Sequence, residues 1–214
     1  MKPVLAVDHD AAPLKTYIAN FPNTTVRCAE LGPTKTEVDL PAPTANQHIH
    51  LSPECKQVSG ANKSCTDSSH GEALLAWSID VGITYGSYSV ETVDSSKTRR
   101  VVADAVARHG PNLVSFAFLD AASLGDPQTR RRLIIGHKAM ITRLKEAPGC
   151  EMVSVRMAFA DENLEIPREA THIKNSSAVA NNTFGNIRTV DQHAFTVCAA
   201  RALSFCSAAG TTKR

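Results

Sequence analysis

Tyr88-Ser89-Val90-Glu91-Thr92-Val93, then Ser96 to Arg108, then Leu113-Val114-Ser115-Phe116-Ala117-Phe118 is the stretch that decides the fold. The first piece alternates apolar and polar residues, the period of a half-buried strand. The second places Val101, Val102, Ala105 and Val106 inward and Arg99, Arg100 and Arg108 outward, with Ser96 as candidate N-cap. Gly110-Pro111 ends that helix. The third piece is apolar enough for a buried strand. Strand, helix, strand in this order predicts an α/β domain on a mainly parallel sheet.

The same rhythm extends outward. Val4-Leu5-Ala6-Val7 reads as a strand ending in Asp8-His9-Asp10, and a helical stretch follows from Ala12 to Asn20. Pro22-Asn23 breaks it. Thr25-Val26-Arg27-Cys28 is a short strand ending near Glu30, and residues 31–47 form a proline-containing loop. His48-Ile49-His50-Leu51 is a third short strand, closed by Ser52-Pro53-Glu54-Cys55. Ala73 to Val81 is helical in composition, and Leu133-Ile134-Ile135-Gly136 is a strand. Residues 151–214 lose the alternation and read as a smaller irregular region with short strands at 153–159 and 194–198.

Composition narrows the function. The 214 residues are 43% hydrophobic and only 5% aromatic, so a core exists and is mostly aliphatic. Lys+Arg at 23 against Asp+Glu at 21 leaves a net charge of +2, too balanced to mark a nucleic-acid binder by charge alone. No apolar run reaches the roughly 18 residues a bilayer requires, and the N-terminus does not read as a signal peptide. The six cysteines include no Cys-x-x-Cys pair, which excludes a zinc ribbon or dithiol motif. Free thiols in a reduced intracellular setting are expected.

Cys55 lies just beyond the carboxyl end of a strand, where open α/β sheets place their chemistry. Pro53-x-Cys55 with Ser59-x-Ala61-Asn62 resembles the Pro-Pro-Cys-Gln loop of DNA (cytosine-5) methyltransferases. Other motifs follow in the family's order. Val90-Glu91-Thr92-Val93 resembles Glu-Asn-Val, and Ala121 to Leu133, with Gly125-Asp126-Pro127-Gln128-Thr129-Arg130-Arg131-Arg132, resembles Gly-x-Pro-Gln-x-Arg-x-Arg. Upstream, Val7 to Phe21 is similar to the family's second strand and helix, and Phe195-Thr196-Val197 to a late Thr-Val strand. The size suggests the short iridovirus (ranavirus-type) enzymes, hence a viral protein of the host nucleus or cytoplasm.

The resemblance implies an incomplete Rossmann-like S-adenosylmethionine-dependent methyltransferase sheet over 1–150 and a reduced target-recognition region over 151–214. It makes Cys55 the nucleophile, Glu91 the acid at the cytosine ring, and Arg130 and Arg132 the groups on the base carbonyl and phosphate side. It assigns Asp8 to the cofactor ribose, His9 to stacking on adenine, and Glu30 to the adenine amine. It implies double-stranded DNA with a flipped cytosine as partner. Glu54, Lys56, Val58 and Thr92 depart from the family pattern. The family's first motif, Phe-x-Gly-x-Gly, precedes the stretch that matches. A sheet without that strand is expected either to pair the strands that flank it or to leave both edges open, with a complementing subunit as a possible filler. Two other readings have thinner support. A cysteine hydrolase has no signature around any histidine. His48-x-His50 as half a metal site has no third ligand nearby.

Overall fold

The computed structural model describes residues 2–34, 40–44, 46–59, 67–151, 153–161, 172–175, 187–189, 203–206 and 212–213. Two compact units emerge: Met1–Phe116 with Ile134–Thr142, and Ala117–Leu133 with Arg143–Arg214. The elements in chain order are β1 (Leu5–Asp8), α1 (Ala11–Asn20), β2 (Thr25–Cys28), β3 (His48–Leu51), α2 (Ser69–Ile83), β4 (Ser87–Thr92), α3 (Ser96–His109), β5 (Ser115–Asp120), β6 (Arg131–Gly136) and α4 (Lys138–Glu146). After them come α5 (Val155–Asp161), β7 (His172–Asn175), β8 (Ile187–Thr189), β9 (Leu203–Cys206) and β10 (Thr212–Lys213). The boundary between the units crosses β5 and β6. No described helix is long and apolar enough to cross a membrane.

The expected α/β rhythm is present. β1 pairs β2 in parallel and β3 pairs β4 in parallel, each pair joined through a helix. The sheet is nevertheless in two pieces: β1-β2, and a four-stranded ladder in the order β3-β4-β6-β5. β1 and β3 are not hydrogen-bonded to each other. The Val4 and Asp8 carbonyls accept from Thr25 and Ala29. Backbone groups alternate sides along a strand, so Leu5 and Val7 turn theirs to the opposite edge of β1. Of the two expected outcomes for the sheet, the described residues take the open edges.

The core of the first unit gathers on β4, whose Tyr88, Val90 and Thr92 are buried while Ser87, Ser89 and Glu91 face the other side. Leu75 and Ile79 of α2 and Val101, Val102 and Ala105 of α3 are buried as well. Tyr88 is fully buried, and its hydroxyl donates to the Leu113 carbonyl at 2.8 Å. Gly82 lies so close to that ring that any Cβ there would collide with it.

Two local expectations change, and a third lies outside the described residues. The cap of α3 is Ser95, one residue before the Ser96 expected from sequence. Its hydroxyl accepts from the Thr98 N–H while Thr98 returns a bond to the Ser95 N–H, a reciprocal box. Residues 153–159, expected as a strand, lie largely in helix α5, because Ser154 caps the turn by accepting from the Met157 N–H. The 194–198 strand and Phe195-Thr196-Val197 lie outside the described residues, as does much of Ser59-Gly60-Ala61-Asn62. The described strands of the C-terminal stretch form an antiparallel sheet, β10-β9-β7-β8.

Candidate active site

The carboxyl ends of β1, β2 and β3 border one cleft of about 460 Å³ in the first unit. That is within the range of small-molecule sites, roughly 300–1,000 Å³. Asp8 and His9 line it after β1, Glu30 after β2, Pro53 and Glu54 after β3, and Trp77 of α2 lies alongside. The adjacent Asp8 and His9 and the more distant Glu30, the residues expected at a cofactor, all line this cleft.

Asp8 is fixed by the turn that starts α1. Its Oδ1 accepts the Asp10 N–H at 2.8 Å, and Asp10 in turn caps the helix by accepting the Ala12 N–H at 2.9 Å. His9 Nδ1 stands 3.4 Å from Asp8 Oδ1, with the imidazole 74% exposed. Glu30 is exposed at the cleft wall. Carboxylates suit the vicinal hydroxyls and exocyclic amine of a nucleoside, and the His9 and Trp77 rings offer flat faces for its base. The donor set therefore fits the nucleoside part of S-adenosylmethionine.

Cys55 is a half-buried free thiol on the loop after β3. Its neighbours Glu54 and Lys56 line the cleft and form an exposed ion pair at 3.0 Å, whereas Cys55 itself does not line it. The Cys55 carbonyl accepts the Val58 and Ser59 N–H groups at 3.2 and 2.9 Å, opening a turn. Val58 is almost fully buried, and Gln57 Oε1 accepts the Gly71 N–H at 2.9 Å, which ties this turn to the start of α2. Val58, a departure from the family pattern, thus serves as the loop's apolar anchor.

Glu91 is connected to the same loop. The Ser52 hydroxyl donates to Glu91 Oε2 at 2.7 Å. The β3–β4 register, Leu51 opposite Val90, carries on to set Ser52 beside Glu91. Sequence reasoning missed Ser52. Its signal was its place at the strand exit, legible only once the register is known.

Along the same face, β3 offers His48 and His50 and β4 offers Ser87 and Ser89. His48 Nδ1 and Nε2 bond Ser87 Oγ and Ser89 Oγ at 2.8 and 2.9 Å, and His50 Nδ1 bonds Ser89 Oγ at 2.8 Å. Burial, aided by the nearby charge of His50, holds His48 below the usual histidine range. The pair is thus engaged with serines. Among the described residues no cluster of three or more His, Cys, Asp or Glu could hold a metal.

Arg130 and Arg132 belong to the second unit. Asp120 Oδ1 accepts the Arg130 N–H at 2.9 Å and the Ala122 N–H at 3.2 Å, and Ala121 N–H donates to the Arg130 carbonyl. One carboxylate therefore pins both ends of the 121–130 turn. Gly125 takes φ +85° within it, a conformation that favours glycine. The Arg132 guanidinium donates to the Arg131 carbonyl at 2.8 Å. Arg99 and Arg100, on the outward face of α3, are both paired with acids. Arg99 pairs Asp94 through two bonds of 2.7 and 2.9 Å, and Arg100 pairs Glu72 at 2.6 Å.

No family model and no curated protein matches the sequence. Solved structures do. An E. coli prophage protein described as a DNA modification methyltransferase is 18% identical, with 77% of this chain and 49% of that one covered at a TM-score of 0.47. A mutant of Spodoptera frugiperda DNMT2 is 19% identical, with 65% and 43% covered at 0.42. The S. pombe Dnmt2 methyltransferase is 16% identical, with 85% and 57% covered at 0.40. All three carry methyltransferase names. At these scores and identities the likeness says nothing about chemistry. The chain spans about half the length of these structures.

Proposed function

We propose that this chain transfers a methyl group from S-adenosylmethionine to C5 of cytosine in DNA through a covalent adduct on Cys55. One observation supports the reading most. The cleft that gathers Asp8, His9 and Glu30 is walled by the loop that carries Cys55, and Ser52 at the head of that loop holds Glu91.

When bound, S-adenosylmethionine supplies an electrophilic methyl group. Asp8 and Glu30 hold its ribose and adenine ends. The Cys55 thiolate adds to cytosine C6, which makes C5 nucleophilic. Glu91 stabilises the adduct at the ring N3. After C5 has taken the methyl group, leaving S-adenosylhomocysteine, the C5 proton passes to water, the C6–S bond breaks, and the thiolate returns. Arg130 and Arg132 are assigned to the base carbonyl and the phosphate side. Residues 151–214 are the recognition region, and kinship to the short iridovirus enzymes is part of the same proposal.

A partner-dependent form of this reading is favoured by one observation, the edge of β1 at which Leu5 and Val7 present backbone groups to no described strand. A complementing polypeptide that adds a strand there would complete the cofactor side by β-augmentation.

Covalent trapping tests the proposal. DNA containing 5-fluorocytosine lacks the proton whose loss releases the enzyme. Wild type, with cofactor, is expected to form a denaturant-resistant complex and Cys55→Ser none. Undiminished trapping by Cys55→Ser would falsify the assignment. Glu91→Gln is expected to slow single-turnover methylation by about a hundredfold or more while DNA affinity holds.

A further inference from the structure

The cleft of the first unit carries charge on its β3 side as well as at β1 and β2. The loop after β3 presents Glu54 and Lys56 there, and the two side chains hold each other at 3.0 Å while 51% and 83% exposed. The backbone beneath them is anchored. The Cys55 carbonyl accepts the Val58 and Ser59 N–H groups, Gln57 Oε1 accepts the Gly71 N–H at 2.9 Å, and the Gln57 carbonyl accepts from Lys97 Nζ at 3.4 Å. Two charged heads of opposite sign thus stand at the cleft wall on a fixed loop. Among the described residues that line the cleft, Asp8, Glu30 and Glu54 are acidic, and Lys56 is the one lysine or arginine.

In S-adenosylmethionine the nucleoside assigned to Asp8, His9 and Glu30 continues into a zwitterionic tail, with one α-carboxylate and one α-ammonium. That tail is the charge complement of a Glu–Lys pair. An ion pair as exposed as this one contributes little by itself, so its members change partners readily. A carboxylate on Lys56 and an ammonium on Glu54 replace one pair with two, each closed by charge-assisted hydrogen bonds. The bound nucleoside also excludes water from their cleft side. We propose that Glu54 and Lys56 form the subsite for the α-amino acid end of the cofactor, Lys56 taking the carboxylate and Glu54 the ammonium. This rests on the S-adenosylmethionine reading of the cleft. It gives two residues that depart from the family pattern a common role.

Calorimetric titration with two nucleosides tests it. S-adenosylhomocysteine has the amino acid end, and methylthioadenosine lacks it. Wild type is expected to bind the first at least about tenfold more tightly. Lys56→Met keeps the stem but not the charge. It is expected to lose about tenfold on S-adenosylhomocysteine and nothing on methylthioadenosine. Glu54→Gln keeps the shape and is expected to lose about fivefold on the first probe alone. Asp8→Asn, at the nucleoside end, is expected to weaken both probes by the same factor. A preference for S-adenosylhomocysteine that survives either Lys56→Met or Glu54→Gln, with methylthioadenosine still bound, overturns the paired subsite and leaves the methyltransferase reading standing. Equal loss of both probes in Lys56→Met would make that lysine a structural group and overturn it too. His70 lines the cleft from α2, and a preference abolished by His70→Gln alone would move the carboxylate there instead. Wild type that binds neither probe removes the cofactor reading and this inference together.

Discussion

Strands β4 and β1 sit in the same unit and could hardly be used more differently. β4 alternates strictly between buried and half-buried residues and packs against α2. β1 has all four residues half-buried, one hydrogen-bonded neighbour, and Val4 beside it 65% exposed. Burial is concentrated at β4, and the cleft opens at the end of β1. The difference follows from packing. A strand buried on one face and paired on both edges leaves less room for a small molecule than one with a single paired edge.

Truncating each side should break the symmetry most plainly. Tyr88→Ala is expected to cost about 3–5 kcal/mol in urea unfolding, from the lost ring and the cavity it leaves. Leu5→Ala is expected to cost less than about 1 kcal/mol, because that side chain is only half-buried. Equal costs would remove the contrast. A smaller effect is expected at the α3 cap. Ser95→Ala removes a reciprocal box and should destabilise by about 1 kcal/mol, while Ser96→Ala should be near neutral. Reversal of that order would restore the cap expected from sequence.

The smallest effect is a pH dependence. His48 is held below its ordinary pKa by burial, so the folded state favours its neutral form. As pH falls below about 6.5, the unfolded chain takes up this proton first and stability drops. Above that pH both states are neutral and the term vanishes. His48→Gln is therefore expected to flatten the urea midpoint between pH 7 and 5 relative to wild type. A variant with an unchanged pH slope would show that the histidine carries no such linkage.

Much of this organisation was legible in the chain itself. Asp8, His9 and Glu30 follow strand-like runs, and parallel strands end on one edge of their sheet, so period and topology placed them on one side while the family resemblance singled them out. Ser52 was not legible, because its partner depends on the alignment of β3 with β4, which no local pattern states. Ser95 was missed because Ser95 and Ser96 are equal candidates until Thr98 is seen to return the bond. Val155 to Asp161 was misread because a short apolar run fits either period, and Ser154 as a cap decided it. The pairing of Arg100 with Glu72 was not legible, since Glu72 comes within reach only after α2 and α3 pack.

The ladder of His48, His50 and Ser52 against Ser87, Ser89 and Glu91 also works as a proofreading code for assembly. β3 is only four residues long, and its apolar residues Ile49 and Leu51 would accept a neighbour in more than one alignment. A slip by one residue would turn both imidazoles into the apolar layer and bring Ile49 and Leu51 onto the serines. Such a slip displaces the chain by about 3.3 Å, and the Cys55 loop hangs directly from the end of this strand. Misaligned chains would thus lose both their polar pairings and the placement of the thiol, so folding errors at this strand select against themselves.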